Sequence, residues 1–176
     1  MTIINLFGGP GCGKSTIAAG LFYKLKCLGK IDCELVTEVA KDIIWDGNVE
    51  LLKNQSYVFG NQYHRLWRLR NKVDLVITDS PTLLCHIYDK EKSKMLLDNI
   101  IEKWDNFDNY SFYIERSPEF FIENGRNYDL SESLEKDKDI KALLDNNFIV
   151  YDIIYGENSE EKTEKIFNKI LNFLNI

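Results

Sequence analysis

The run Gly8-Gly9-Pro10-Gly11-Cys12-Gly13-Lys14-Ser15, with Thr16 behind it, sets glycines, a lysine and a hydroxyl at the spacing G-x-x-x-x-G-K-[ST]. Glycines let the backbone turn its N–H groups inward around an anion, where side chains would block the approach. A helix starting near Gly13 adds the positive end of its dipole. Lys14 then reaches the outer phosphates of a nucleoside triphosphate, and the Ser15 hydroxyl is a ligand for Mg²⁺. The chemistry expected of Gly8, Gly9, Gly11, Cys12, Gly13, Lys14, Ser15 and Thr16 is the binding of ATP with Mg²⁺. Cys12 is read as a small loop residue rather than a redox switch.

Further along, Val73-Asp74-Leu75-Val76-Ile77-Thr78-Asp79 is an apolar strand closed by a carboxylate, so Asp79 is expected to hold Mg²⁺ through water opposite Ser15. Ser80 stands where hydrolytic motors carry a water-activating glutamate, which counts against a hydrolysis engine. Asn71-Lys72-Val73-Asp74 matches the guanine-reading pattern N-K-x-D, but it precedes its strand and falls at the wrong end of a sheet for the nucleotide. GTP specificity is therefore not expected. Glu38 follows a second strand, in Val36-Thr37-Glu38-Val39-Ala40-Lys41. A carboxylate there suits removal of the proton from a hydroxyl that attacks a phosphoryl group; the alternative is an ordinary acidic residue in a helix's first turn.

Two pairs of arginines complete the candidate set. Arg65 and Arg68 share a helix face by their three-residue spacing. They would bind an acceptor phosphate or a nucleic-acid backbone, or else form a solvated face. Arg116 and Arg126 bracket a polar stretch broken by Pro118 and Gly125, the position of a lid over about residues 116–130 whose arginines neutralise a transferring phosphoryl group. His64 and His86 have no paired nucleophile and are read as structural.

Positioning these groups requires alternating strands and helices. Short apolar runs at residues 2–7, 34–37, 74–78, 111–115 and 148–155 read as strands. Helical spacing marks residues 14–27, ended by Gly29, then 39–45, and a polar aromatic stretch at 50–70 after Gly47. Residues 92–104 follow, then a helix opened by Ser131 as N-cap and running to about Asn146, then residues 160–174. Such alternation implies an α/β fold, a parallel sheet of five strands with helices on both faces. Right-handed crossovers bring ligands to the carboxyl ends of the strands. Gly8, Glu38, Asp79 and Arg116 all fall at such ends.

The bulk properties narrow the classes. A chain of 176 residues with 44% hydrophobic and 12% aromatic content fits one compact domain spanning residues 1–176 and argues against disorder. The net charge of -6 gives no bulk attraction to nucleic acid, so contact with it needs a local basic patch. Four cysteines without metal spacing are read as reduced thiols, and no apolar run approaches the length of a membrane span, so a cytoplasmic location is expected. Abundant Asn, Ile and Lys suit an AT-rich genome, with a phage and its host cytoplasm as the corresponding expectation.

With these residues assembled, the chain resembles the P-loop nucleoside/nucleotide kinase superfamily, nearest to phage-encoded AAA-type ATPases and nicotinamide-riboside kinase-like proteins. The likeness rests on GGPGCGKST at residues 8–16, VTEVAKD at 36–42, QYHRLWRLR at 62–70, TDSP at 78–81 and ENGRNY at 123–128. It implies a three-layer P-loop NTPase fold with strand order like 2-3-1-4-5 and ATP- and Mg²⁺-dependent phosphoryl transfer. Glu38 resembles the base of deoxynucleoside kinases, but Asp79-Ser80-Pro81 stands where those enzymes carry E-R-S, so their substrate pocket does not transfer. Three functions are open at this stage. One is a kinase for a nucleoside, nucleotide or similar small hydroxyl acceptor, as a monomer or homodimer. Another is a kinase acting on nucleic acid, at a 5′ end or on a hydroxymethylated base in phage DNA. The third is a nucleotide-gated regulatory ATPase.

Overall fold

A computed structural model describes residues 1–116 and 130–176. Its strands are β1 (Thr2–Phe7), β2 (Cys33–Val36), β3 (Leu75–Thr78), β4 (Asp108–Ile114) and β5 (Asp152–Ile154). They form one sheet in the order β2-β3-β1-β4-β5, with every pairing parallel. The order 2-3-1-4-5 implied by the sequence resemblance is the one observed. The helices are α1 (Lys14–Leu28), α2 (Val39–Trp45), α3 (Gln55–Trp67), α4 (Leu84–Tyr88), α5 (Lys94–Trp104), α6 (Leu130–Asn146) and α7 (Ser159–Leu174), with a 3-10 helix at Val49–Lys53.

The two faces of the sheet are built from alternate residues of each strand. Ile4 and Leu6 of β1, with Phe112 and Ile114 of β4, pack against Ile17, Leu21 and Leu25 of α1 and Ile166 and Ile170 of α7. Phe7 and Tyr113 point the other way, onto a core shared with α2, α3, α4, α5 and α6. Covering both faces leaves only the strand ends open to a ligand. β1 and β3 are almost wholly buried, which explains why they read as unbroken apolar runs.

Several expected boundaries shift, each for a local reason. The stretch at 50–70 is not one helix: the Asn54 side chain accepts from Tyr57 N and starts α3 afresh after the 3-10 helix. α3 ends at Trp67, and Asn71 takes φ 59° beyond it. The helix expected from residue 92 begins at Lys94, because Lys92 adopts φ 50° and Ser93 Oγ caps Leu96 N. Ser131 lies within α6 rather than capping it. β5 is far shorter than residues 148–155, since Phe148 sits at φ 55° and only three residues pair with β4. α4, five residues long, is too brief to leave a periodic signature, and the sequence reading has no element there.

Candidate functional site

The chain leaves β1 at Phe7 and enters α1 at Lys14, and the turn between them is made by glycines in conformations closed to other residues. Gly8, Gly11 and Gly13 have φ of 144°, 86° and 93°. Lys14 Nζ folds back over this loop and donates to the carbonyls of Gly8 at 2.6 Å and Gly9 at 2.9 Å. Ser15 and Thr16 are exposed in the first turn of α1. The expected cradle is thus a glycine-rich turn on a helix N-terminus with its lysine over the mouth. Arg116, past the end of β4, donates to Pro10 O of the loop at 2.9 Å.

Asp79 lies immediately beyond β3 and is 6% exposed. Its Oδ1 is buried and has no hydrogen-bond partner among the described residues. A carboxylate oxygen left this way awaits a cation or a water bound to one. Among the described residues no three His, Cys, Asp or Glu side chains cluster to hold a metal. A divalent ion held here by Asp79 and Ser15 would take further ligands from phosphate oxygens and water, the usual habit of Mg²⁺.

Glu38 is the N-cap residue of α2, with extended backbone at φ -65° and ψ 124°. The turn carrying it is clamped by α3. The buried Gln62 carboxamide accepts from Val39 N at 2.9 Å and donates to Thr37 O at 3.3 Å. Arg65 donates to Thr37 O at 3.2 Å and pairs with Asp42 of α2. Burial raises the Glu38 carboxyl above its ordinary value, Lys14 opposes that shift, Asp79 adds to it and Lys41 opposes it. Glu38 thus lies close enough to Lys14 and Asp79, from two other strand ends, to sense their charge.

Beside Glu38 opens a cavity of about 290 Å³. Its walls are largely apolar, from Ile44, Val49, Leu52, Val58 and Leu84, with Gln55, Ser80, Cys85 and Tyr88 as polar or polarisable points and Lys53 and Lys90 as charged ones. The Gln55 amide nitrogen is committed to Leu52 O at 2.7 Å. Burial pushes the Cys85 thiol up to about 12, with Glu38 adding to the shift, so it lines the cavity as a neutral group. Sequence reasoning missed Gln55, Cys85 and Tyr88. Gln55 opens a helix that was merged with its neighbour, and the other two lie on α4.

The two arginines expected to share a face have different surroundings. Arg65 is spent on the turn that carries Glu38. Arg68 lines a depression with Trp67, Arg70, Asn71 and Lys72, and Arg70 stacks over Phe107 just before β4. That is the amino end of the sheet, away from Glu38. Arg126, and the lid expected over about residues 116–130 apart from its two ends, lie outside the described residues.

This five-stranded parallel sheet in the order 2-3-1-4-5, with its glycine-rich turn and strand-end carboxylates, gives the chain an α/β P-loop kinase-like fold. The chain belongs to the AAA domain family AAA_28, whose model matches residues 3–162. No curated protein sequence matches it. Among solved structures it is similar to a deoxyadenosine kinase from M. mycoides with products dCMP and a flexible dCDP bound, at 20% identity and TM-score 0.63, covering 97% of this chain and 99% of that one. The same enzyme with bound dATP gives 19% identity and TM-score 0.61, over 99% and 100% of the two chains. NadR in complex with NR gives 13% identity and TM-score 0.80, over 99% of this chain, which spans 52% of NadR. At these identities the likeness is one of fold.

Proposed function

We propose that the protein is an ATP-dependent kinase that phosphorylates a hydroxyl of a nucleoside, nucleotide or similar small molecule held in the cavity beside Glu38. The observation that carries this reading is the position of Glu38: one carboxylate, with its proton affinity raised by burial, between the phosphate cradle and a cavity of about 290 Å³. The acceptor oxygen attacks the γ-phosphorus as its proton passes to Glu38. An oxygen–phosphorus bond forms, and the bond from the γ-phosphorus to the β–γ bridging oxygen breaks, its electron pair leaving with ADP.

The loop amides and Lys14 hold the phosphates, and Arg116 with Arg126 neutralises the transferring group. When bound, Mg²⁺ held by Ser15 and by Asp79 through water offsets the charge of the phosphate oxygens. Apolar walls exclude water from the acceptor hydroxyl, so transfer outruns hydrolysis. A small acceptor is favoured over nucleic acid because the cavity has single-molecule size and Arg68 and Arg70 lie at the other end of the sheet.

Incubation with labelled ATP, Mg²⁺ and a panel of nucleosides, nucleotides and duplex DNA tests the reading. Label is expected on a small acceptor. ATP binding with no transfer to any acceptor overturns it in favour of a regulatory ATPase, and transfer to duplex DNA alone moves the acceptor to nucleic acid.

A further inference from the structure

Gly9 occupies a position that the G-x-x-x-x-G-K-[ST] spacing leaves free, and it is absent from the glycines with positive φ. Its reason for being glycine is the approach of α6. A Cβ there would stand 2.8 Å from the backbone carbonyl of Ser133 and 2.6 Å from Asp137 Oδ1. The carbonyl cannot yield without moving the helix. α6 therefore packs directly on the phosphate loop, and only a residue without a side chain permits it.

The contact is polar and closes a ring. Gly9 N donates to Asp137 Oδ1 at 2.6 Å, Arg116 Nε donates to Asp137 Oδ2 at 2.9 Å, and Arg116 Nη2 donates to Pro10 O at 2.9 Å. The two charged side chains are 8% and 13% exposed, so their attraction is less screened than that of a surface pair. β4 and α6 are in this way both tied to the cradle. The same ring sets a carboxylate on an amide of the loop expected to bind an anion, and it engages Arg116, a cation that also bonds that loop.

We propose that Asp137 is a positioning residue that acts through Arg116. In the nucleotide-free chain its carboxylate holds Arg116 and the phosphate loop together, and a bound triphosphate takes Arg116 from it. A polyphosphate carries several negative charges: it is repelled by Asp137 and attracts the Arg116 guanidinium more strongly than one carboxylate does. ATP binding and the Arg116–Asp137 contact then oppose each other, and the opposition is reciprocal. The inference rests on triphosphate occupancy of the cradle and is independent of the acceptor.

The test is ATP affinity of the full-length chain, measured by calorimetry with Asp137→Asn, which keeps an oxygen for Gly9 N and removes the charge. ATP is expected to bind at least about fivefold tighter, the lower end of ordinary coupling between sites, while affinity for an uncharged nucleoside stays unchanged. In an Arg116→Gln background the gain should shrink to the part that direct repulsion by Asp137 supplies. Unchanged or weaker ATP binding by folded Asp137→Asn overturns the proposal, and so does a gain that is undiminished without Arg116. The native chain offers a check that needs no variant. The Arg116 Nε–H resonance should move when a non-hydrolysable ATP analogue binds, and a resonance that stays in place also overturns it. Failure of the unaltered chain to bind ATP would defeat the nucleotide reading itself, a different result from ATP binding that Asp137→Asn leaves unaltered.

Discussion

At the scale of the residue, Glu38 joins two opposed demands. A general base works best when its proton affinity lies near the working pH, and burial moves a carboxyl in that direction. The same burial disfavours its ionised form. With a folded-state value above the unfolded one, Glu38 contributes stability that is full below the unfolded value and is lost as pH rises through the folded value. Glu38→Gln should therefore be more stable than the parent chain at neutral pH, by about 0.5–2 kcal/mol in denaturant unfolding. It should also lose about 10²- to 10⁴-fold in transfer rate while ATP affinity is kept. In the parent chain the acid limb of kcat/KM should lie above the ordinary carboxylate range, since transfer requires the deprotonated form. A limb in the ordinary range, or one that survives Glu38→Gln, would show that another group takes the proton.

Elements matter here mainly through their junctions. The turn from β2 into α2 has no side-chain cap of its own, and α3 supplies one from a distance through Gln62, which bonds both sides of Glu38. Gln62→Leu fills similar space but leaves Val39 N and Thr37 O without that partner. The cost expected is about 1–3 kcal/mol of stability, read by thermal unfolding. A displaced Glu38 should also lower the transfer rate about 10- to 100-fold with little change in ATP affinity. If Gln62→Leu destabilises the chain but transfers at the parent rate, α3 supports the fold and does not aim the base. A helical stretch covering α3 was legible in the sequence, while its buried side of Val58, Gln62 and Leu66 comes from the structure. Its partner was not legible, because a clamp between residues 37–39 and 62 spans two elements and leaves no spacing to read.

For the whole molecule, the sheet order sets what converges. β1, β2, β3 and β4 lie side by side, so their carboxyl ends bring the cradle, Glu38, Asp79 and Arg116 to one edge. A ligand joining these ends stabilises the chain as a unit. Mg²⁺–ATP at 100 times its dissociation constant should add about 2.7 kcal/mol, which for a chain of this size is about 5–10 °C in Tm. Removing the metal with a chelator, or replacing Asp79 by Asn, should erase the Mg²⁺-dependent part of that shift. A Tm that ignores ATP would contradict the assignment of the cradle.

What the sequence determined by itself was local. A glycine-rich turn needs particular backbone angles, a buried strand needs an unbroken apolar run, and an amphipathic helix needs its period, so Gly8–Ser15, β1, β3, α1 and α2 could be read from neighbouring residues alone. The tertiary structure decided what distant segments do to one another. It engaged Arg65 with Thr37 and Asp42 at the β2–α2 turn and set Arg68 in a depression with Arg70 and Lys72. It drew the cavity from α2, α3, α4 and the 3-10 helix, and it brought Asp137 from α6 onto Gly9. Such contacts depend on packing across the sheet, which no local spacing encodes.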